Sequence, residues 1–413
     1  MPSVSRRVIL GSALTATAGL MTPPAAASTD SSLADWNAIA AQYDVSRDVI
    51  QLENGNFGTM ARPVFAAYRQ HLERVNREGS FYARRKAGPD LMAVRAKTAA
   101  ALGVSPEEIL PTRGATEALQ VLIAGYDRLK AGDAVLIADL DYDSTQAAFR
   151  GLVERRGVKL LSLALPEPAT HQGLIDAYEA ALKANGAIKL MMLTHVSHRT
   201  GLVLPVKEIV AMARARGVDT IVDAAHSWGQ LDFTLADLGA DFVGFTCHKW
   251  IGAPLGTGVS YIRKERLEAI APAAEHLGSG IEARLHTGTT NFAAMLAVGE
   301  ALDFHAQIGA KAKEMRLRAL RDRWAEALRD HPGIEILTPG DPRLTCGITS
   351  FRLKGKTGEA ENRAVAAELL RRFNIFTVDR PGVAKGACVR VTPALFTREA
   401  EIDALIAALK HMA

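Results

Sequence analysis

One stretch constrains this chain more than any other: Thr220–Gly258, TIVDAAHSWGQLDFTLADLGADFVGFTCHKWIGAPLGTG. A short β-type run, Thr220–Val222, delivers Asp223, and a second apolar run, Phe242–Thr246, delivers Cys247, His248 and Lys249. As parallel strands of one α/β sheet, the two runs would bring a carboxylate and an amine to the same carboxyl-end edge, where such sheets bind ligands. His226 and His248 would stand beside them. A lone Asp and Lys at strand ends would read as an ordinary ion pair. Here the acid comes first, then small residues and His226, then His248-Lys249, then a Gly-rich turn, and an ion pair needs no such order.

A lysine and an acid so placed suit pyridoxal 5'-phosphate (PLP), which needs an amine for its Schiff base and a carboxylate to keep its ring nitrogen protonated. The ordered set resembles the class V (fold type I) PLP-dependent enzymes: cysteine desulfurases, kynureninases, phosphoserine-type aminotransferases and isopenicillin-N-epimerase-like proteins. That resemblance runs from about Leu52 to the C-terminus. It implies an α/β fold, with a large domain of mostly parallel sheet flanked by helices and a smaller C-terminal α+β domain. The expected limits are 28–55 for an N-terminal segment, 56–305 for the large PLP-binding domain and 306–413 for the small one.

Other motifs fall into place around that core. Thr112-Arg113-Gly114-Ala115-Thr116-Glu117 reads as a strand, a Gly turn and a helix start, whose exposed N–H groups and positive dipole end make an anion seat. The resemblance implies that Gly114, Ala115 and Thr116 hold the cofactor phosphate. Strand Ala134–Ala138 leads to Tyr142, expected to stack on the pyridine face. Strand Leu190–Thr194 leads to His195 and His198, with His198 placed near the cofactor's ring oxygen and able to carry a proton near neutral pH. His226 stands where relatives put Gln or His against that same oxygen, and His248 neighbours the phosphate. Asp223 is expected to bond the ring nitrogen. Lys249 is expected to hold the cofactor and then to act as general base. Four histidines near strand ends raise the question of a metal, but no carboxylate–His spacing of a known zinc type accompanies them, and no metal is expected.

Gln51–Thr59 (QLENGNFGT) reads as a strand running into a turn that borders the substrate pocket, with Asn54 as a substrate contact. Helices are expected at 63–77 and 88–102, separated by Phe81–Arg85, where Arg84 and Arg85 either face substrate or form a solvated basic loop. In Leu285–Asn291 (LHTGTTN), Thr289 is implied to cross a dimer interface to the partner's cofactor phosphate, hence a homodimer. In the C-terminal unit, Arg390 on the strand Cys388–Val391 is implied to grip a substrate α-carboxylate, a task suited to arginine's forked geometry.

Ser5-Arg6-Arg7-Val8-Ile9-Leu10, the weakly apolar run Gly11–Met21 and Ala25-Ala26-Ala27 read as a twin-arginine export signal over residues 1–27. The apolar run is too short and too rich in Ala and Gly for a lasting membrane span. The mature protein is therefore expected in the periplasm. A formal net charge of +4 over 413 residues gives no reason to invoke nucleic acid. The three cysteines cannot all pair within the chain, so no disulfide framework is implied.

PLP sites share their inner residues across transamination, racemisation, elimination and desulfuration, so the reaction is less constrained than the cofactor. The leading expectation is an isopenicillin-N-epimerase-like enzyme acting on an amino group with an α-carboxylate, in periplasmic tailoring of a peptide or siderophore. The alternative is a cysteine desulfurase or amino-acid lyase. A desulfurase requires a mobile cysteine on the loop before the carboxylate arginine, and Asp379–Ala384 has none. A PLP-binding scaffold without catalysis is a third reading, weakened by the retained Asp223 and Lys249.

Overall fold

The computed structural model describes residues 35–274, 278–286 and 288–413; the proposed export signal lies outside them. The chain enters through a short helix, Trp36–Ala41, capped by the Asp35 carboxylate, which accepts the N–H groups of Asn37 and Ala38 at 3.0 and 3.1 Å. Trp36, Ile39 and Tyr43 pack from it against Leu317 and Leu395, as their helical spacing suggests. Strand β1 (Ile50–Gln51) follows.

Seven strands then build the large sheet: β2 (Ile109–Thr112), β3 (Ala134–Ala138), β4 (Lys159–Leu163), β5 (Ile188–Thr194), β6 (Asp219–Asp223), β7 (Phe242–Thr246) and β8 (Gly258–Ile262). Their order is β2-β8-β7-β6-β5-β3-β4. Strands β3 to β7 run parallel to one another, while β8 is antiparallel to both β7 and β2. Every residue of β3 and β7 is buried, because helices cover both faces of a parallel sheet. Register sets the site. Thr194 pairs with Asp223, so β5 and β6 end level, and since Asp223 pairs with Gly244, β7 runs on to Thr246 at the same edge.

Four further strands, β9 (Ile334–Ile336), β10 (Thr349–Leu353), β12 (Val378–Arg380) and β13 (Cys388–Val391), form an antiparallel sheet in the order β12-β13-β10-β9. Between β10 and β12 lies β11 (Ile375–Phe376), which pairs in parallel with β1. Helices Ala310–Leu328, Glu359–Phe373 and Glu399–Met412 close this sheet over a core that includes Trp324, Phe351, Leu369 and Leu405.

The first expected helix ends close to its expected limit: within Arg62–Arg85 the backbone at Gly79 is non-helical (φ +52°, ψ −132°), a conformation that glycine tolerates at little cost, and the chain beyond it, expected as a connection, is helical again. Arg84 and Arg85 therefore sit exposed on its last turn, where cations complement the helix dipole, rather than on a loop. Among the described residues, no helix is long and apolar enough to cross a membrane.

Candidate active site

The carboxyl ends of β5, β6 and β7 and the turn after β2 line a cavity of about 380 Å³. Asp223, His226, His248 and Lys249 line it from the β6 and β7 ends. Gly114, Ala115 and Thr116 line it from the helix start, and Tyr142 and His198 from the ends of β3 and β5. These nine residues, scattered between positions 114 and 249, thus share one cavity.

Lys249 stands at its centre. Its Nζ lies 2.9 Å from His226 Nε2. Burial pushes the ammonium down from 10.5 to about 8, against the opposing pull of the Asp223 carboxylate. Burial also lifts the Asp223 carboxyl above its usual range, while the Ala225 N–H, donated to Oδ1 at 2.8 Å, and Lys249 pull it back. The backbone around Lys249 is fixed by a close crossing. Gly58 donates its N–H to the His248 carbonyl at 2.8 Å, and a Cβ on Gly58 would fall 1.9 Å from the Lys249 carbonyl oxygen.

His248 donates from Nδ1 to the Thr257 carbonyl at 3.0 Å, since a carbonyl can only accept. Burial holds it below the ordinary histidine range, so it is neutral with a bare Nε2. At the anion seat, Ala115 gives its N–H to Thr246 Oγ1 at 3.0 Å and Thr112 Oγ1 donates to the Gly114 carbonyl at 3.0 Å. The helix behind it, Ala115–Gly125, carries Glu117 in its first turn, held by Arg113 from outside. Asp141 accepts from Thr194 Oγ1 and the Ala138 N–H, each at 2.7 Å, and so pins the turn that presents Tyr142. Burial raises the Asp141 carboxyl to about 6. The Tyr142 ring meets His198 edge-on at 5.0 Å.

The expected substrate contacts are differently disposed. Arg390 is almost wholly buried and already engaged: Nη1 donates to the His198 carbonyl at 2.6 Å, and Nη2 to both Glu53 carboxylate oxygens at 2.6 and 2.8 Å. Asn54 uses its side-chain amide on the Gln51 and Thr392 carbonyls, at 3.1 and 2.8 Å, and lines the second chamber described below rather than the first. Thr289 is exposed and is not among the residues that wall the cavity of its own chain. Sequence reasoning missed Glu53, Arg380 and Asn56. Arg380 lies 3.6 Å from Glu53, and all three line a second chamber of about 630 Å³ that shares Asn56 with the first. The three cysteines, Cys247, Cys346 and Cys388, are buried, and burial pushes their thiols up to about 12, 11 and 11.

The donor set fits PLP. An amine held partly neutral, an acid whose Oδ2 is left over after Ala225 has bonded Oδ1, and a helix start for a phosphate converge in one cavity.

Comparison with known proteins bears on the same site. The family model described as Aminotransferase class-V matches residues 61–378. Isopenicillin N epimerase of Streptomyces clavuligerus is 31% identical over 402 residues, covering 91% of this chain and 98% of that protein. A cysteine desulfurase of Pectobacterium carotovorum is 29% identical over 349 residues, covering 78% and 81%. Among solved structures, the apo cysteine desulfurase of Thermococcus onnurineus superposes with a TM-score of 0.78 at 21% identity, over 91% of this chain and 97% of that one, which speaks for the fold.

Proposed function

This chain belongs to the class-V aminotransferase family, and from that premise we propose that it is a PLP-dependent amino-acid lyase in which Lys249 both carries the cofactor and takes the substrate's α-proton. When bound, PLP supplies an electron sink for the charge left on the substrate's α-carbon. Lys249, Asp223, His226, His248, Tyr142, His198 and the Gly114–Thr116 turn would hold it. Asp223 would keep the ring nitrogen cationic, and the bare Oδ2 is the atom free to do so. The helix start at Ala115 would take the phosphate, with neutral His248 beside it. The observation that carries the reading is the amine of Lys249, drawn toward its neutral, proton-accepting form in the same cavity as Asp223.

The similarity to desulfurases over about four-fifths of their length supports desulfurase or lyase chemistry ahead of periplasmic tailoring of a peptide or siderophore. Within that alternative the lyase is favoured. A desulfurase route passes sulfur to an enzyme thiolate, whereas Cys388 and its two counterparts are buried thiols of raised pKa, poor nucleophiles by both criteria. Epimerisation is the second reading, favoured by the near full-length similarity to isopenicillin N epimerase. Incubation of the PLP-loaded enzyme with a panel of L-amino acids in D₂O separates them. Keto acid with ammonia supports the lyase; solvent deuterium at Cα with loss of optical activity supports the epimerase. If no amino acid exchanges its α-proton, the proton-accepting role of Lys249 is wrong.

We also propose that the enzyme is exported and dimeric. Arg6→Lys with Arg7→Lys should keep the protein in the cytoplasmic fraction; unchanged fractionation would remove the export reading. Sedimentation equilibrium should give twice the chain mass, and Thr289→Val should weaken PLP binding without changing that mass.

A further inference from the structure

We propose that Trp250 is a positioning residue for Lys249: its indole N–H fixes the single ring proton of His226 on Nε2, the nitrogen that faces Lys249 Nζ. The proposal rests on reading Lys249 as the cofactor's lysine.

An indole nitrogen can only donate. Trp250 Nε1 lies 3.3 Å from His226 Nδ1 in hydrogen-bonding geometry, so Nδ1 must present a lone pair. The ring is then neutral, and its one proton is on Nε2. That nitrogen is 2.9 Å from Lys249 Nζ. An N–H pointing at Nζ is satisfied by the lone pair of a free amine and opposed by the hydrogens of an ammonium. Trp250 thus acts through His226 to favour the form of Lys249 that can attack a carbonyl and later accept a proton.

The surroundings hold both rings in place. Gln230 Nε2 donates to the His226 carbonyl at 2.6 Å, and Gly347 N–H donates to Gln230 Oε1 at 2.8 Å. Lys313 Nζ, buried on the helix Ala310–Leu328, donates to the Trp250 carbonyl. Gly229, at φ +82°, lets the His226 turn approach the Trp250 backbone; a Cβ there would fall 2.8 Å from the Trp250 carbonyl carbon. The charged and titratable groups that act on the pair are Asp223 and Glu53, which favour an ammonium, and Arg390, Arg380 and His198, which disfavour cations here. Burial drives both His226 and Lys249 toward their neutral forms, in the same direction as the hydrogen-bond chain.

Two measurements on the full-length chain freed of cofactor test this. Long-range ¹H–¹⁵N spectra of ¹⁵N-histidine-labelled protein, with His226 assigned by its loss in His226→Gln, report which ring nitrogen carries the proton. An Nε2–H tautomer from neutral pH upward supports the proposal; an Nδ1–H tautomer or an imidazolium overturns it. Trp250→Phe keeps an aromatic ring and removes the donor. The rate at which added PLP becomes fixed to Lys249 by borohydride, followed against pH, should shift upward by about one pH unit, so capture at neutral pH slows roughly tenfold. An unshifted midpoint in a folded Trp250→Phe protein overturns the proposal, and if that variant misfolds the tautomer of the parent decides. A parent chain that captures no PLP at any pH would instead sink the proposed function, and the spectra would still decide the tautomer.

Discussion

Glu53→Gln is the substitution on which the geometry makes its sharpest demand. The Glu53 and Arg390 side chains are 7% and 1% exposed, and Nη2 reaches both carboxylate oxygens within 2.8 Å. Removing one member of a buried ion pair strands the other, at about 3–5 kcal/mol. Glutamine keeps one accepting oxygen, so the lower end, about 3 kcal/mol, is expected. Arg380, 3.6 Å from Glu53, adds to the loss, because two guanidinium groups that oppose each other then lose the carboxylate between them. The assay is urea unfolding of the parent, Glu53→Gln, Arg390→Gln and the double variant. The double should recover much of the loss, with a coupling of about 2–3 kcal/mol. Glu53→Gln alone frees Arg390, so small amino-acid carboxylates should bind that variant more tightly than they bind the parent. A Glu53→Gln protein within 1 kcal/mol of the parent (about the net worth of one ordinary hydrogen bond), or effects that simply add, would refute the reasoning.

Lys249→Ala should abolish borohydride fixation of PLP and reduce turnover by several orders of magnitude; measurable fixation elsewhere would displace Lys249 from its role. Cys388→Ala should leave turnover within about threefold of the parent, since its raised pKa keeps the thiolate scarce at neutral pH; a collapse would revive the desulfurase reading. Lys313 is held by burial at about 7, below 10.5. The unfolded chain therefore binds more protons than the native one between those values, and stability should rise with pH across that window and be lowest below it. Lys313→Met should flatten that rise in urea midpoints measured at several pH values; an unchanged slope would deny that Lys313 is buried in the native protein.

The elements that read clearly from the sequence were those whose burial leaves a local mark. Strands β3 and β7 are buried at every residue, so they appear as the unbroken apolar runs AVLIA and FVGFT, with the expected limits. Asp223 and Lys249 were legible because one ends an apolar strand and the other follows one within three residues. The helical turn Phe81–Arg85 beyond Gly79 was not, since whether a chain resumes a helix after a glycine depends on what packs there. Nor was the engagement of Arg390, whose partner Glu53 lies 337 positions away. Arginine on β13 announces a grip on some carboxylate, and only the fold shows that the chain supplies one itself. Trp250 sits next to the lysine in sequence, but its role needs a third residue brought in from the β6 end.

The stretch from β1 to Gly58 joins the two sheets. It pairs with β11 and Thr392 at one end, through Ile50 and the Asn54 N–H, and holds the His248 carbonyl at the other. Its contacts with Thr392 span 338 positions. Closing a loop of that length comes late, because its entropy must be met before the contacts return anything. On the ribosome, then, the lysine strand and its sheet can assemble while the tail is still being made, yet the wall beneath the site waits for the last strand to emerge. Order of synthesis thereby becomes order of competence: a chain that stops short of β13 has its reactive amine in place but lacks Thr392, the anchor that fixes the middle of the strap bordering it.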